Sequence, residues 1–283
     1  MQIVKTVAGV RELVRGWRKE GLTVGLVPTM GYLHEGHASL VKAALKDCDR
    51  VVVSVFVNPT QFGPNEDLAA YPRDLAHDEA LLESLGASAL FYPAVDEMYL
   101  PGASTWVSVE GLSAGLCGKT RPIHFRGVCT VVSKLFNIVM PDRAYFGQKD
   151  AQQLAIVRRM VRDLNMNLEI VGCPIVREAD GLAKSSRNTY LSEAERQAAC
   201  VLSRAIFAGE KMVSDGCRDA KAIVAAMRAI IEKEPLARID YVEAVDADAI
   251  TPVETVAGRV LFAMAVYIGK TRLIDNFITD VAA

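Results

Sequence analysis

Two histidines, His34 and His37, stand three residues apart in the segment Pro28-Thr29-Met30-Gly31-Tyr32-Leu33-His34-Glu35-Gly36-His37, between an apolar strand-like run, Leu22 to Val27, and a helix expected from Gly36 to Asp47. The first strand-to-helix crossover of an open α/β sheet offers helix amides and the positive end of a dipole to an anion, so a nucleotide phosphate suits this loop. Residues at i and i+3 share a face of the first helical turn, and both rings could donate to phosphate oxygens as charge builds up there. Spacing alone leaves two other readings open. The pair could bind a metal, although zinc wants three or four protein ligands and neither His77 nor His124 has a cysteine at ligand spacing. It could also be purely structural.

Three more polar clusters sit where packing alone would not ask for them. Asn58-Pro59-Thr60-Gln61-Phe62-Gly63 follows the apolar run Val51 to Val57, so its polar groups emerge at the carboxyl edge of a sheet, where open α/β folds bind ligands. Phe146-Gly147-Gln148-Lys149-Asp150-Ala151-Gln152-Gln153 joins another strand to a helix. Gly147 lets backbone approach a ligand, Lys149 can meet phosphate, and Asp150 can cap the helix or accept from ribose hydroxyls. Asp180-Gly181-Leu182-Ala183-Lys184-Ser185-Ser186-Arg187-Asn188 is rich in hydroxyl and cationic donors, as a lid over a polyphosphate would be; a solvated linker is the plainer alternative. The chain has no GxxxxGK[ST] loop, no GxGxxG fingerprint and no serine or cysteine with a base and orienting acid, so the nucleophile belongs to a substrate.

Those loops need a scaffold, and the apolar pattern supplies one. After a surface helix at Val7 to Lys19, strands at Leu22 to Val27, Val51 to Val57, Ala89 to Tyr92, Ala144 to Phe146 and Leu168 to Val176 alternate with helices at Gly36 to Asp47, Asp74 to Leu85, Gly127 to Asn137 and Asp150 to Leu164. Such alternation predicts parallel strands with crossover helices on both faces. Past Asn188 the pattern changes. The capping box Ser192-Glu193-Ala194-Glu195 opens a helix to about Val213, and Asp219 opens another to about Lys233. Strands at Ile239 to Val245 and Val260 to Ile268 follow, ending at Leu273-Ile274-Asp275. The fold class is therefore α/β: a Rossmann-like parallel sheet with crossover helices plus a smaller C-terminal α+β domain. The expected division is 1–176 for the sheet domain, 177–190 for a hinge and phosphate-binding lid loop, and 191–283 for the C-terminal domain.

With 283 residues, 51% hydrophobic and 23% charged, the chain can bury a sizeable core. A net charge of −2 gives no general pull toward nucleic acid or acidic lipid. Six scattered cysteines without a Cys-x-x-Cys pair read as small buried hydrophobes in a reducing compartment, and no apolar run reaches membrane-spanning length. A cytoplasmic location is expected.

Taken in order, several segments resemble the pantoate–β-alanine ligase family over nearly the whole chain. They are Val27-Pro28-Thr29-Met30-Gly31 with His34 and His37, Phe56-Val57-Asn58-Pro59 with Gln61-Phe62, Tyr71-Pro72-Arg73 and His124-Phe125-Arg126-Gly127-Val128. Phe146-Gly147-Gln148-Lys149-Asp150, Asp180-Gly181-Leu182-Ala183 with Ser185-Ser186-Arg187-Asn188, and Arg272-Leu273-Ile274-Asp275-Asn276 continue the series. The resemblance implies an ATP-dependent ligation in two steps: pantoate carboxylate attacks the α-phosphorus, then β-alanine attacks the pantoyl adenylate and expels AMP.

It also implies roles. His34 and His37 would contact phosphates, with His37 as proton donor, and Lys149 and Arg187 would join them as catalytic groups. Met30, Gly31, Tyr32, Leu33, Glu35, Gly36, Gly147, Gln148, Asp150, Val176, Lys184, Ser185 and Ser186 would complete the ATP site, Val176 through its backbone. Gln61 and Gln153 would hold pantoate, Gln61 would stay near the adenylate when β-alanine enters, and Asn58 would orient the reacting groups. Lys184 departs from the family pattern, which commonly has Met or Leu there. Mg²⁺ would ride on phosphate oxygens with no metal ligand from the protein, and the family suggests a homodimer with Val128 to Val139 near its interface.

Overall fold

The computed structural model describes residues 1–64 and 66–281. In chain order the elements are β1 (Gln2–Val4), α1 (Val7–Lys19), β2 (Val24–Thr29), α2 (Glu35–Asp47), β3 (Arg50–Val55), α3 (Leu75–Leu85), β4 (Ala89–Phe91), α4 (Val95–Met98), α5 (Cys117–Thr120) and α6 (His124–Val139). There follow β5 (Arg143–Gly147), α7 (Ala151–Asp163), β6 (Glu169–Cys173), α8 (Glu193–Ala199), α9 (Val201–Ser214), α10 (Ala220–Ile231), β7 (Ala237–Asp246), β8 (Gly258–Ile268) and β9 (Thr271–Val281). The chain divides into two compact units, one of Met1–Val109, Arg121–Gln148 and Ile156–Pro174, the other of Glu110–Thr120, Lys149–Ala155 and the residues from Ile175 onward.

The first unit carries a parallel sheet in the order β1-β4-β3-β2-β5-β6. Val51, Val52 and Val53 of β3 are all fully buried, because helices cover both faces and the strand has no solvent side. From β2 the chain steps outward through β3 and β4, then returns to β5 on the other flank of β2. The order of winding reverses between β2 and β5, and the carboxyl ends of those two strands are where an open sheet leaves a crevice. The loop after β2 ends at His34 and leads into α2, whose first turn holds His37; β5 ends at Gly147 and the turn beyond it begins with Gln148.

Several boundaries differ from the apolar pattern. Strand β2 starts two residues late because the carboxylate of Asp142 takes the Val24 N–H at 2.6 Å while also pairing with Arg18 at 2.7 Å, and it runs on through Pro28 to Thr29. Strand β6 stops at Cys173, leaving Val176 outside it. Helix α6 begins at His124, a turn before Gly127, and Val128, Cys129, Val132, Leu135 and Val139 are buried within this unit. The edge strand β1 has no counterpart in the expected pattern: three mostly exposed residues give no alternation to read, yet they pair in parallel with β4.

The second unit is an antiparallel sheet, β7-β8-β9, with α8, α9 and α10 around a core that includes Ile223, Met227, Phe262, Met264 and Phe277. Phe262 and Phe277 stack with centroids 4.7 Å apart, and burying one such ring is worth about 1.5–3 kcal/mol. The helix expected through Val213 breaks at Cys200, whose N–H bonds Gln197 O in a tighter turn. The residues from Thr271 form a full third strand, returned by a turn at Gly269, where φ is +57°. Among the described residues no helix is long and apolar enough to cross a membrane. Cys48, Cys129 and Cys173 are buried, and burial raises the Cys129 thiol to about 11, which keeps it inert.

Candidate active site

His34 is the N-cap of α2, and its side chain does what Ser or Asp would ordinarily do there. Its Nδ1 accepts from Gly36 N–H at 3.1 Å, and His37 Nδ1 accepts from His34 N–H at 3.2 Å, which makes a capping box from two imidazoles. A ring nitrogen that accepts carries no proton, so both neutral rings are Nε2–H tautomers. Their centroids lie 4.1 Å apart with 35° between planes. Two Nε2–H donors are thus fixed side by side at a helix N-terminus. The structural and the phosphate-binding readings of this pair describe opposite edges of the same rings.

The turn before the histidines is held from α3. Asp78, 1% exposed, accepts from Tyr32 N–H at 2.9 Å and from Leu33 N–H at 2.6 Å. Burial raises this carboxyl above its ordinary range, although both amide bonds favour the charged form. His77 adds an Nε2 contact to Leu33 O at 3.0 Å. Gly31 (φ +85°) and Tyr32 (φ 51°) both adopt left-handed backbone. A Cβ at Gly31 would lie 2.8 Å from Val55 Cγ1 and 3.0 Å from Asp78 Oδ2, so glycine is needed there on both counts.

Beside β3, Asn58 caps the short turn Pro59–Gln61. Its Nδ2 donates to Gln61 Oε1 at 3.1 Å and to Gly127 O at 3.2 Å, while its Oδ1 accepts from Thr60 Oγ1 at 3.0 Å and Tyr99 OH at 2.9 Å. At 1% exposure Asn58 reaches other groups through Gln61, whose Nε2 donates to Met30 Sδ at 3.0 Å. The backbone carbonyl of Gln61 is met by His124 Nδ1 at 3.0 Å and by Arg121 Nη2 at 3.4 Å, and Arg121 pairs with Glu66. Helix α6 comes so close that a Cβ on Gly127 would fall 2.4 Å from Thr60 O. Met30, Asn58 and Gln61 are therefore one connected group.

In the second unit, Lys149 O accepts from Asn276 Nδ2 at 2.8 Å and Asp150 closes the short turn Gln148–Asp150 ahead of α7. The neighbouring glutamines divide the work. Gln152 is buried and spent on structure, donating to Leu112 O and Gly115 O and accepting from Cys117 N–H. Gln153 is half-buried and its amide makes no hydrogen bond among the described residues. Val176 O accepts from Lys184 N–H at 2.9 Å, and Ser185 caps the turn Ser186–Tyr190 that contains Arg187.

Residues 177–183 form a small hairpin, with Arg177 bridged to Ala183 and Gly181 at φ +91°. Arg196 on α8 clamps it, pairing with Glu178 at 2.8 Å and Asp180 at 2.7 Å, and Asn188 Nδ2 donates to Glu178 Oε1 at 3.0 Å. The Arg196 hydrogen bond pulls the Asp180 carboxyl down to about 2. Burial alone would raise Glu178, but its bonds to Arg196 and Asn188 outweigh that and lower it.

Asp78, Tyr99 and Arg196 carry much of this order and no motif pointed to them. Asp78 had a readable signal: it lies on the core stripe of α3, with Leu82 and Leu85 at i+4 and i+7, where an acid needs buried donors. The partners of Tyr99 and Arg196 are distant in sequence and left no comparable mark.

The sequence profile of the pantoate-beta-alanine ligase family matches residues 2–278. The chain is 61% identical over 277 residues to the pantothenate synthetase of Ruminiclostridium cellulolyticum and 59% identical over 277 residues to that of Enterococcus faecalis, in each case covering 98% of both chains. Its structure is similar to that of the pantothenate synthetase of Thermus thermophilus, with a TM-score of 0.93 at 47% identity over 100% of both chains. It also matches a pantoate-beta-alanine ligase from Francisella tularensis, solved with beta-gamma ATP and beta-alanine, with a TM-score of 0.81 at 34% identity, covering 98% of this chain and 97% of that one. The chain belongs to the pantoate-beta-alanine ligase family.

Proposed function

We propose that the His34–His37 capping box is where this chain stabilises the charge that develops as pantoate is activated. The reaction of the family condenses pantoate with β-alanine to pantothenate at the expense of ATP, which leaves as AMP and pyrophosphate. A carboxylate resists attack by an amine, whereas a mixed anhydride with AMP has a good leaving group. In the first step a pantoate carboxylate oxygen bonds to the α-phosphorus and the bond from that phosphorus to the bridging oxygen of pyrophosphate breaks. In the second, the β-alanine nitrogen bonds to the acyl carbon, loses a proton, and AMP departs with the carbon–oxygen electron pair.

The observation that carries this reading is the use of both Nδ1 atoms as backbone acceptors, which commits both Nε2–H groups to donation. Donors fixed in advance stabilise the developing phosphate charge without reorganising during the step. His37, given as the proton donor by the family resemblance, acts here by donating a hydrogen bond through Nε2–H to the departing pyrophosphate, and the amides at the start of α2 share the phosphate's charge. Gln61, oriented by Asn58, and Gln153 bind pantoate, and Gln61 stays beside the adenylate for the second step. Lys149 and Arg187 act on phosphates, with Met30 to Gly36, Gly147, Gln148, Asp150, Val176, Lys184, Ser185 and Ser186 in supporting contacts; Lys184 contributes through its backbone. The segment 177–190 is the phosphate-binding lid.

Among the described residues no three His, Cys, Asp or Glu side chains are grouped to hold a metal. Magnesium is delivered on the triphosphate, since Mg²⁺ gives up its waters reluctantly and takes phosphate oxygens readily. The working protein is a cytoplasmic homodimer, which sedimentation of the purified chain tests. The chemical test follows ¹⁸O-labelled pantoate with MgATP and without β-alanine. Pantoyl adenylate and pyrophosphate appear in equal amounts and label enters AMP once β-alanine is added; no acyl-AMP, or AMP without label, overturns the reading.

A further inference from the structure

The Gly31–Leu33 turn is strained and its restraint comes from another helix. Two consecutive residues, one of them the non-glycine Tyr32, hold left-handed backbone, and such a conformation persists only where its surroundings over-determine it. What over-determines it here is Asp78, a buried carboxylate whose two oxygens each take one amide of that turn. The next residue along the chain is His34, whose backbone N–H is the donor that orients His37 and whose ring caps α2. Chain direction at residue 33 therefore sets the His34 N–H, and through it the heading of both rings. His77, the neighbour of Asp78, touches the Leu33 carbonyl from the same turn of α3.

We propose that Asp78 is a positioning residue for the adenylation half-reaction: its carboxylate locks the Gly31–Leu33 turn and so fixes where the imidazoles of His34 and His37 point. This rests on the reading that the histidine pair serves adenylation. The charge matters as much as the shape, because an asparagine keeps one acceptor oxygen but turns an NH₂ toward the second backbone N–H. The second half-reaction needs less from Asp78, since the amine attacks the acyl carbon after pyrophosphate has gone.

The test is Asp78→Asn in the full chain, read three ways. Single-turnover formation of pantoyl adenylate falls about 10- to 100-fold, the range expected when reacting groups are misplaced by about 1 Å. Aminolysis of supplied pantoyl adenylate by β-alanine changes less than about twofold. Imidazole ¹⁵N resonances of His34 and His37 move away from the pattern of two Nε2–H tautomers. Unchanged adenylation, or an equal loss in both half-reactions, overturns the proposal. If the variant does not fold, His77→Ala carries the test, because that exposed side chain contacts the same turn. It shows the same split with a smaller loss of adenylation, and equal or absent losses overturn the proposal there too. His37→Ala run alongside separates the two claims. A normal adenylation rate in that variant breaks the histidine reading itself, whereas a slow His37→Ala beside a normal Asp78→Asn breaks only the role of Asp78.

Discussion

The loop at 29–37 and the hairpin tip at 178–180 are both polar, yet they are held by different means. The first is fixed by backbone amides bonded to a carboxylate with 1% exposure, each such charge-assisted bond contributing about 1.5–3 kcal/mol before the cost of burial. The second is anchored at its start by Arg177, paired twice with the buried Asp275, and its hairpin tip is held by Arg196, whose side chain is 25% exposed, paired with Glu178 at 25% and Asp180 at 45%. Ion pairs with that much solvent contact are worth about 0.2–1 kcal/mol and weaken with salt. The contrast separates a turn fixed by buried amide bonds from a hairpin tip whose half-exposed ion pairs cost little to break. Donors that stabilise a transition state lose their value if they reorient during the step, which is why the 29–37 turn gains from being fixed in advance.

The largest expected effect tests the rigid side. His37→Ala removes one Nε2–H and half of the capping box, and single-turnover adenylation falls about 100- to 1,000-fold, as for loss of one preorganised donor to developing charge. A loss below tenfold would mean that the helix amides alone carry the phosphate charge. Gly31→Ala attacks the same loop through its backbone, combining a left-handed φ with a Cβ only 2.8 Å from Val55 Cγ1. Urea unfolding of this variant shows a loss of about 2–4 kcal/mol.

Effects on the looser side are smaller. Arg187→Ala slows adenylation about tenfold by removing a cationic donor, with β-alanine aminolysis spared; an unchanged single-turnover rate removes Arg187 from the first step. Arg196→Ala releases the 177–183 hairpin from α8, which raises amide exchange there while exchange at residues 31–37 is unaffected. Salt mimics it in the wild type.

The smallest effect is on acid stability. The carboxyls of Asp180 and Glu178 are lower in the folded chain than unfolded, so their contribution is complete above the unfolded values and is lost as pH falls through the folded ones. Hairpin protection is therefore flat near neutrality and declines between about pH 4 and about pH 2, the folded value for Asp180, and Arg196→Ala removes that decline.

Much of this was legible in the residues themselves. Alternating apolar runs gave the parallel sheet and its crossover helices because burial on both faces leaves a strand no polar positions, as Val51 to Val53 show. Asp74, Ser192 and Asp219 cap α3, α8 and α10 as their types predict, since capping is a contact between near neighbours. The edge strand β1, the break at Cys200 and the full length of β9 escaped, each set by pairing partners or turns that local periodicity does not encode.

By itself the sequence determined the family, the order of sheet and helices and the donor-rich loops, because these depend on residue types at short spacing. Tertiary structure alone decided that Asp78 reaches the amides of Tyr32 and Leu33 across 46 and 45 residues, that Gly127 leaves room for Thr60 O, and that 110–120 and 149–155 pack with the residues after 175. The physical reason is common to all three. A buried polar or close-packed contact is specified by where two distant segments meet, and that meeting is fixed only when the whole core closes.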